Sequence, residues 1–425
     1  MKIHNENKRI FILLLCTVII LVILFGGYRI YRNITQDHIL NISLDPLTTQ
    51  EKIEDFEFLY KTIVENYPYL EVNKRTYGID WITNKEMYME RIERGNFLYI
   101  MQWVLAELNN GHTHILSEDD VAFMREIYWD TKQSGGWQGM NFDVLNHPLV
   151  LKRYNINSTL PDTHKQMVQG EDQPIINAVV KDIVDGKIAS IYIPQMINDT
   201  KMQYDRELIK NYLKEVQNYQ AMVIDIRGNG GGSSNYWQRF LLPEILGEPY
   251  EVTWYNFYKD GDYIKKYFQE SKVIPKKITQ LDKTNLPNLP EEVEEIFTYY
   301  TPMHLEAIPA EDSIAFKGNI YLLVDNNVCS SAEMLAAFAK DTGFATLIGE
   351  QTKGDGIGSD PLVAILPNSG YVFRFTKAMG VTEDGTCNEE HPTIPDYIVE
   401  DTTRIEGSLE DQCIQKVLEL EGIDN

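Results

Sequence analysis

Met222-Val223-Ile224-Asp225-Ile226-Arg227-Gly228-Asn229-Gly230-Gly231-Gly232 opens as an apolar run and closes in a glycine loop. With Ala221 before it, the run reads as a strand buried on both faces. The glycines let backbone amides come close to an anion, or let the chain turn tightly. A helix resumes near Trp237. The pattern recurs downstream: a buried strand over 320–324, Cys329-Ser330-Ser331-Ala332-Glu333, a helix over 334–340 and a strand over 345–348. Such alternation predicts an α/β protein with a mixed α+β sheet.

Upstream, Phe56, Phe58, Leu59, Ile63 and Val64 fall at amphipathic helical spacing, and Pro68 ends that helix. Further helices are expected over 81–92 and 97–108, the latter closing at Asn109-Asn110-Gly111, a C-cap signal. Residues 50–110 therefore read as a small helical unit. Short apolar runs at 149–151, 175–176, 178–180 and 188–193 read as strands, and 205–217 as a helix. The stretch 250–315, with Pro275, Pro287, Pro290 and many charges, reads as irregular.

The chain has 425 residues, 43% hydrophobic and 24% charged, enough for two or three folded units and too apolar for disorder. Its net charge of −24 and lack of a basic tract argue against nucleic acid, whose binders neutralise phosphates. The 4 cysteines are too few and scattered for a disulfide framework or zinc site. Residues 10–28 form 19 uncharged positions bracketed by Lys8, Arg9, Arg29 and Arg32, just long enough to span a bilayer. The exit Leu24-Phe25-Gly26-Gly27-Tyr28 lacks an A-x-A-like cleavage pattern, which favours an uncleaved anchor. Lys2, Lys8 and Arg9 before the run against Arg29 and Arg32 after it predict a single-pass cell-membrane protein, N-terminus inside and main body extracytoplasmic. Beyond residue 32 the chain carries 34 basic and 62 acidic residues, a net charge near −28.

Several residues could carry chemistry, each with a bland alternative. Ser330, between a strand and a helix start, could be a nucleophile near the positive end of the helix dipole. Equally, Ser330-x-x-Glu333 is a capping box that satisfies orphan amides. The glycine loop could be an oxyanion hole or a mere turn; it lacks the lysine and Ser/Thr of a P-loop. His112 and His114 form an H-x-H pair with no evident third metal ligand, so no metal is assigned.

Jointly and in order, these stretches resemble the S41 serine peptidases, the family of C-terminal processing proteases and the tricorn core protease. The 222–232 stretch is similar to that family's "hhhDhRgNgGG" element. Tyr321-Leu322-Leu323-Val324-Asp325, then Ser330-Ser331-Ala332-Glu333, then Leu347-Ile348-Gly349-Glu350-Gln351-Thr352-Lys353-Gly354 resemble its nucleophile element and the strand after it. Ile394-Pro395-Asp396-Tyr397 resembles its closing signature. Glu65-Asn66-Tyr67-Pro68-Tyr69-Leu70 and Leu108-Asn109-Asn110-Gly111-His112-Thr113 resemble the tricorn-like, histidine-containing branch. The likeness spans roughly residues 50–400. It implies a ClpP/crotonase-like mixed-sheet core, a polypeptide or peptide substrate and no cofactor. It also implies Ser330 as nucleophile, with an oxyanion hole from the amides of Ser331 and of Gly231 or its neighbour Gly232.

The general base departs from the commoner pattern. Asp355 stands where C-terminal processing proteases carry their lysine. His112 and Glu389 match the tricorn-like base and its carboxylate, with Lys353 the alternative to His112 and Glu390 the alternative to Glu389. An extended chain would displace Lys353 by about 6.6 Å from the family lysine position, beyond hydrogen-bond reach. The expected organisation is a tip and anchor (1–35), a stalk and helical unit (36–125), a β-rich connector without a clear PDZ pattern (126–185), and a catalytic core (186–425) with an insertion at about 250–315. The expected function is a membrane-anchored extracytoplasmic serine endopeptidase acting through an acyl-enzyme. The alternative is a non-catalytic binder of peptides or apolar ligands on the same fold.

Overall fold

The computed structural model describes residues 46–157, 177–198, 202–358, 360–406 and 409–423. The expected anchor at 10–28 and the apolar pair 175–176 lie outside them. Among the described residues, no helix is long and apolar enough to cross a membrane.

A six-stranded sheet forms the centre. Its order is Tyr397–Ile398, Thr346–Gly349, Asn319–Val324, Ala221–Asp225, Ile188–Tyr192 and Val179–Val184. The first five strands run parallel and the last is antiparallel. Alternate side chains enter two different cores, as strand pleating requires. Met222, Ile224, Leu322 and Val324 pack with Trp237, Phe240, Leu335 and Phe338 on one face. Ala221, Val223, Tyr321 and Leu323 meet Cys413, Ile414 and Val417 of the helix Gln412–Leu420 on the other. Burial on both faces is why these strands read as continuous apolar runs. The α/β expectation holds.

The upstream helices are Thr49–Asn66, Leu70–Tyr77, Lys85–Arg94 and Phe97–Ala106. Asn109, rather than Gly111, takes the left-handed conformation after the last of them, at φ 52. Asparagine tolerates that region, and Asn109 Nδ2 donates to Asn73 Oδ1 at 2.9 Å. Two local readings are corrected. Residues 149–151 lie in the helix Pro148–Arg153, which Pro148 opens at its first turn and the His147 ring caps. The stretch 250–315 contains the strands Tyr250–Tyr258 and Tyr299–Ala307, paired antiparallel along their whole length. Its prolines fall mostly between the strands, and Pro302, within one, has no N–H to give the ladder.

A separate three-stranded sheet positions the site. His114–Ile115 adds antiparallel to Val372–Phe375, with His114 opposite Arg374. Through this pairing the helical part of the chain is tied to a segment that lies between the central-sheet strands Thr346–Gly349 and Tyr397–Ile398.

Beneath the glycine loop lies a closed ionic cluster. Arg227 donates to Asp225 through Nε and Nη2 and to Asp411 through Nη1 and Nη2, all at 2.8–3.0 Å. Asp411 also caps the helix Gln412–Leu420 through the amides of Cys413 and Ile414. Removing one member of such a buried set strands the others. Asp411→Ala is therefore expected to lower unfolding free energy by about 3–5 kcal/mol in urea titration. Breaking the exposed Arg94–Glu90 pair should cost no more than about 1 kcal/mol.

Candidate active site

Ser330 sits at the N-cap of the helix Ser331–Thr342 with φ 56 and ψ −127. That combination is normally reserved for glycine, because a Cβ crowds the backbone there. Its side chain makes no capping bond. The capping box suggested by the spacing does not form. Instead Glu333 Oε1 accepts from Asn388 Nδ2 at 2.7 Å, Thr393 N at 3.1 Å and Thr393 Oγ1 at 2.7 Å. A serine held in a strained strand-to-helix turn, with its hydroxyl unspent on the helix, is the geometry of a presented nucleophile.

The turn is held from three sides. Cys329 forms a parallel bridge with Gly354, its Sγ donates to Gly230 O at 3.3 Å, and Met334 N donates to Ser330 O at 2.8 Å. Gly231 fills the remaining side: a Cβ there would lie 2.7 Å from Ser330 Cβ and 2.9 Å from Ser331 N. The Ser331 amide is the first of its helix and has no carbonyl within the helix to bond. The Gly231 amide, by contrast, donates to Asn229 Oδ1 at 2.8 Å. In this conformation Gly231 thus supplies room rather than a donor. Gly232 bridges to Met196, where Ser233 N donates to Met196 O at 2.7 Å. A cavity of about 400 Å³ borders the three glycines and is also lined by Asn177, Pro194 and Gln195.

The remaining candidates separate clearly. His112 Nδ1 lies 2.6 Å from Asp355 Oδ2, an ion-pair distance, with that oxygen buried and off the N–H direction needed for a hydrogen bond. Arg374 Nε donates to the His112 carbonyl at 3.1 Å and fixes the loop. Glu389 does not reach His112 within ion-pair distance. Its Oε1 accepts from Asn110 Nδ2 at 2.9 Å, and its Oε2 is buried without a partner. Burial, and then the charge of Asp355, push the Glu389 carboxyl well above the usual range. Glu390 turns outward and accepts from Arg75 Nε at 2.7 Å and Nη2 at 2.6 Å. Lys353 pairs through its backbone, N to Val328 O at 2.9 Å, and is exposed. His114 faces Arg374 across the strand pair, and burial lowers its pKa. No group of three metal-ligating side chains occurs among the described residues.

Asp355, Asn110, Asn388 and Arg374 were not singled out as site residues from the sequence. Only Asp355 left a signal, at the family's lysine position. The others act through contacts between residues far apart in the chain.

Two outcomes follow from this geometry. Gly231→Ala, which drives a methyl into Ser330 and strains a φ of 101, should abolish active-site labelling by a fluorophosphonate while the protein stays folded by circular dichroism. Glu389→Gln should stabilise the fold, and increasingly so as pH rises. Above its ordinary value of 4.5 the unfolded chain loses the Glu389 proton while the folded chain keeps it, so wild-type stability falls until the folded pKa is passed. Melting temperatures at about pH 5 and about pH 8 check this: the gain should be larger at the higher pH.

The Peptidase family S41 model matches residues 187–399, just over half the chain. No curated protein sequence matches. Among solved structures, a peptidase candidate from Parabacteroides merdae superposes with a TM-score of 0.54 at 18% identity, covering 87% of this chain and 96% of its own. Mature CPAF complexed with lactacystin also gives 0.54, at 13% identity, covering 88% and 97%. At such identities the structures speak to the fold, and the family match speaks to the chemistry. The chain belongs to peptidase family S41 and is a serine-type peptidase.

Proposed function

We propose that the chain is a membrane-anchored, extracytoplasmic endopeptidase that cleaves polypeptides through an acyl-enzyme on Ser330. The observation that carries this reading is the strained, uncapped Ser330 at a helix N-terminus, with Gly231 leaving open the space beside the Ser331 amide. Ser330 Oγ attacks the scissile carbonyl as His112 takes its proton, giving a tetrahedral oxyanion and an imidazolium. The Ser331 amide and an amide of Gly230 or Gly232 stabilise the oxyanion. His112 then protonates the leaving amine. In the second half it takes a proton from water, which hydrolyses the acyl-enzyme and restores Ser330. The cavity beside the glycine loop offers room for an extended substrate segment. The anchor rests on the uncharged run 10–28 and its flanking basic residues.

Ser330→Ala should eliminate fluorophosphonate labelling, and His112→Ala should reduce it by at least about 10²-fold. Lys353→Ala should leave it intact. Labelling that survives in Ser330→Ala and His112→Ala alike contradicts the assignment, and loss in Lys353→Ala alone transfers the base to the lysine. For the anchor, carbonate-resistant membrane retention and protease accessibility of the body in spheroplasts are expected. A body that is carbonate-soluble or protected overturns that placement.

A further inference from the structure

Asp355 is the residue at which the site departs from a serine–lysine enzyme, and its surroundings aim it with unusual firmness. It lies at φ 58, between Gly354 at φ 80 and Gly356. A Cβ at Gly354 would meet Asn388 O at 2.7 Å, and one at Gly356 would meet Met334 N at 2.7 Å. A parallel bridge joins Cys329 to Gly354, so Ser330 and Asp355 each directly follow a bridged residue. Asp355 Oδ2 is the atom 2.6 Å from His112 Nδ1. Behind it sits Glu389, with one oxygen held by Asn110 and the other buried without a partner.

Two carboxyl groups thus share one enclosed region with a single imidazole. Like charges so enclosed do not both ionise, and one group retains its proton. Asp355 faces His112, Arg374 and Cys329, and also Tyr67, Tyr69 and Glu389. Glu389 faces Asp355, Cys387, Tyr67 and Tyr69, none of them cationic.

Resting on the Ser330–His112 reading above, we propose that Asp355 is the positioning carboxylate of His112 and that Glu389 is its proton-holding neighbour, the pair carrying one negative charge. The substitution that removes the lysine base therefore supplies the carboxylate that a histidine base needs. Asp355 fixes the Nδ1–H tautomer and stabilises the imidazolium formed when Ser330 gives up its proton. Neutral Glu389 accepts from Asn110 and adds no second charge to the site. A poorly aligned contact in the free enzyme is common and tightens when substrate closes the site.

The test is the pH dependence of the second-order rate of fluorophosphonate labelling, measured on the full chain. Asparagine tolerates the left-handed backbone of residue 355 as aspartate does, so Asp355→Asn preserves the fold. It should slow labelling by about 10³–10⁴-fold and move the acid limb of the profile to lower pH, because the imidazolium loses its counter-charge. Glu389→Gln, an uncharged mimic of the protonated side chain, should slow labelling by less than about tenfold and leave the acid limb in place. The proposal is overturned if Glu389→Gln falls as far as Asp355→Asn, or if Asp355→Asn stays within about tenfold of wild type. Should either variant fail to fold, infrared difference spectroscopy of the wild type decides. A protonated-carboxyl band at neutral pH that vanishes in detergent-unfolded protein and survives in Glu333→Gln, Asp55→Asn and Asp341→Asn supports the pair, and its absence contradicts it. Labelling that persists in Ser330→Ala would instead condemn the underlying site reading and is read separately.

Discussion

The site depends on one backbone constraint: Ser330 must occupy a conformation that a side chain resists. A non-glycine residue at φ 56 and ψ −127 costs on the order of 1–3 kcal/mol and persists only where its surroundings leave no alternative. Here the surroundings are the parallel bridge from Cys329 to Gly354, the helix behind, and a glycine in front that cannot become alanine without collision. The central sheet provides the rigidity. Its strands Ala221–Asp225, Asn319–Val324 and Thr346–Gly349 are neighbours, and the loops leaving their C-terminal ends carry Gly231, Ser330 and Asp355. Binding groups gather at that end of a parallel sheet because every crossover begins there.

The base comes from elsewhere in the chain. His112 follows the helix Phe97–Ala106 and precedes the short strand that pairs with Val372–Phe375. Asn110 ties this loop together: its Oδ1 accepts from Thr113 and Thr376, and its Nδ2 donates to Glu389. Glu333 secures the 388–393 segment against the nucleophile helix. The helix that presents Ser330 thus also anchors the segment bearing Glu389. Burying several carboxyls here opposes folding, which is the usual cost of an assembled active site.

Much of this was legible in the sequence where one local principle decided the outcome. The doubly buried strands around Val223 and Leu322 announce themselves as apolar runs, and the glycine loop and Ser330 follow from their position after those strands. The legible part ended where distant contacts outweighed local pattern. Ser330-x-x-Glu333 has perfect capping-box spacing, yet Glu333 is claimed by Asn388 and Thr393, more than 50 residues away. Residues 149–151 are β-like in composition, but Pro148 and the His147 cap start a helix. Tyr250–Tyr258 and Tyr299–Ala307 were obscured because the prolines and charges between them dominate the composition. Glu389 and Glu390 are indistinguishable by sequence. Arg75 draws one outward, and Asn110 receives the other within.

The most direct measurement is the site of covalent modification. After reaction of the full chain with a fluorophosphonate, tandem mass spectrometry of the digested protein should place the adduct on Ser330 alone. An adduct on Ser331, on Cys329 or on a serine outside this turn, or no adduct on a folded protein, would contradict a nucleophile presented by the strained turn.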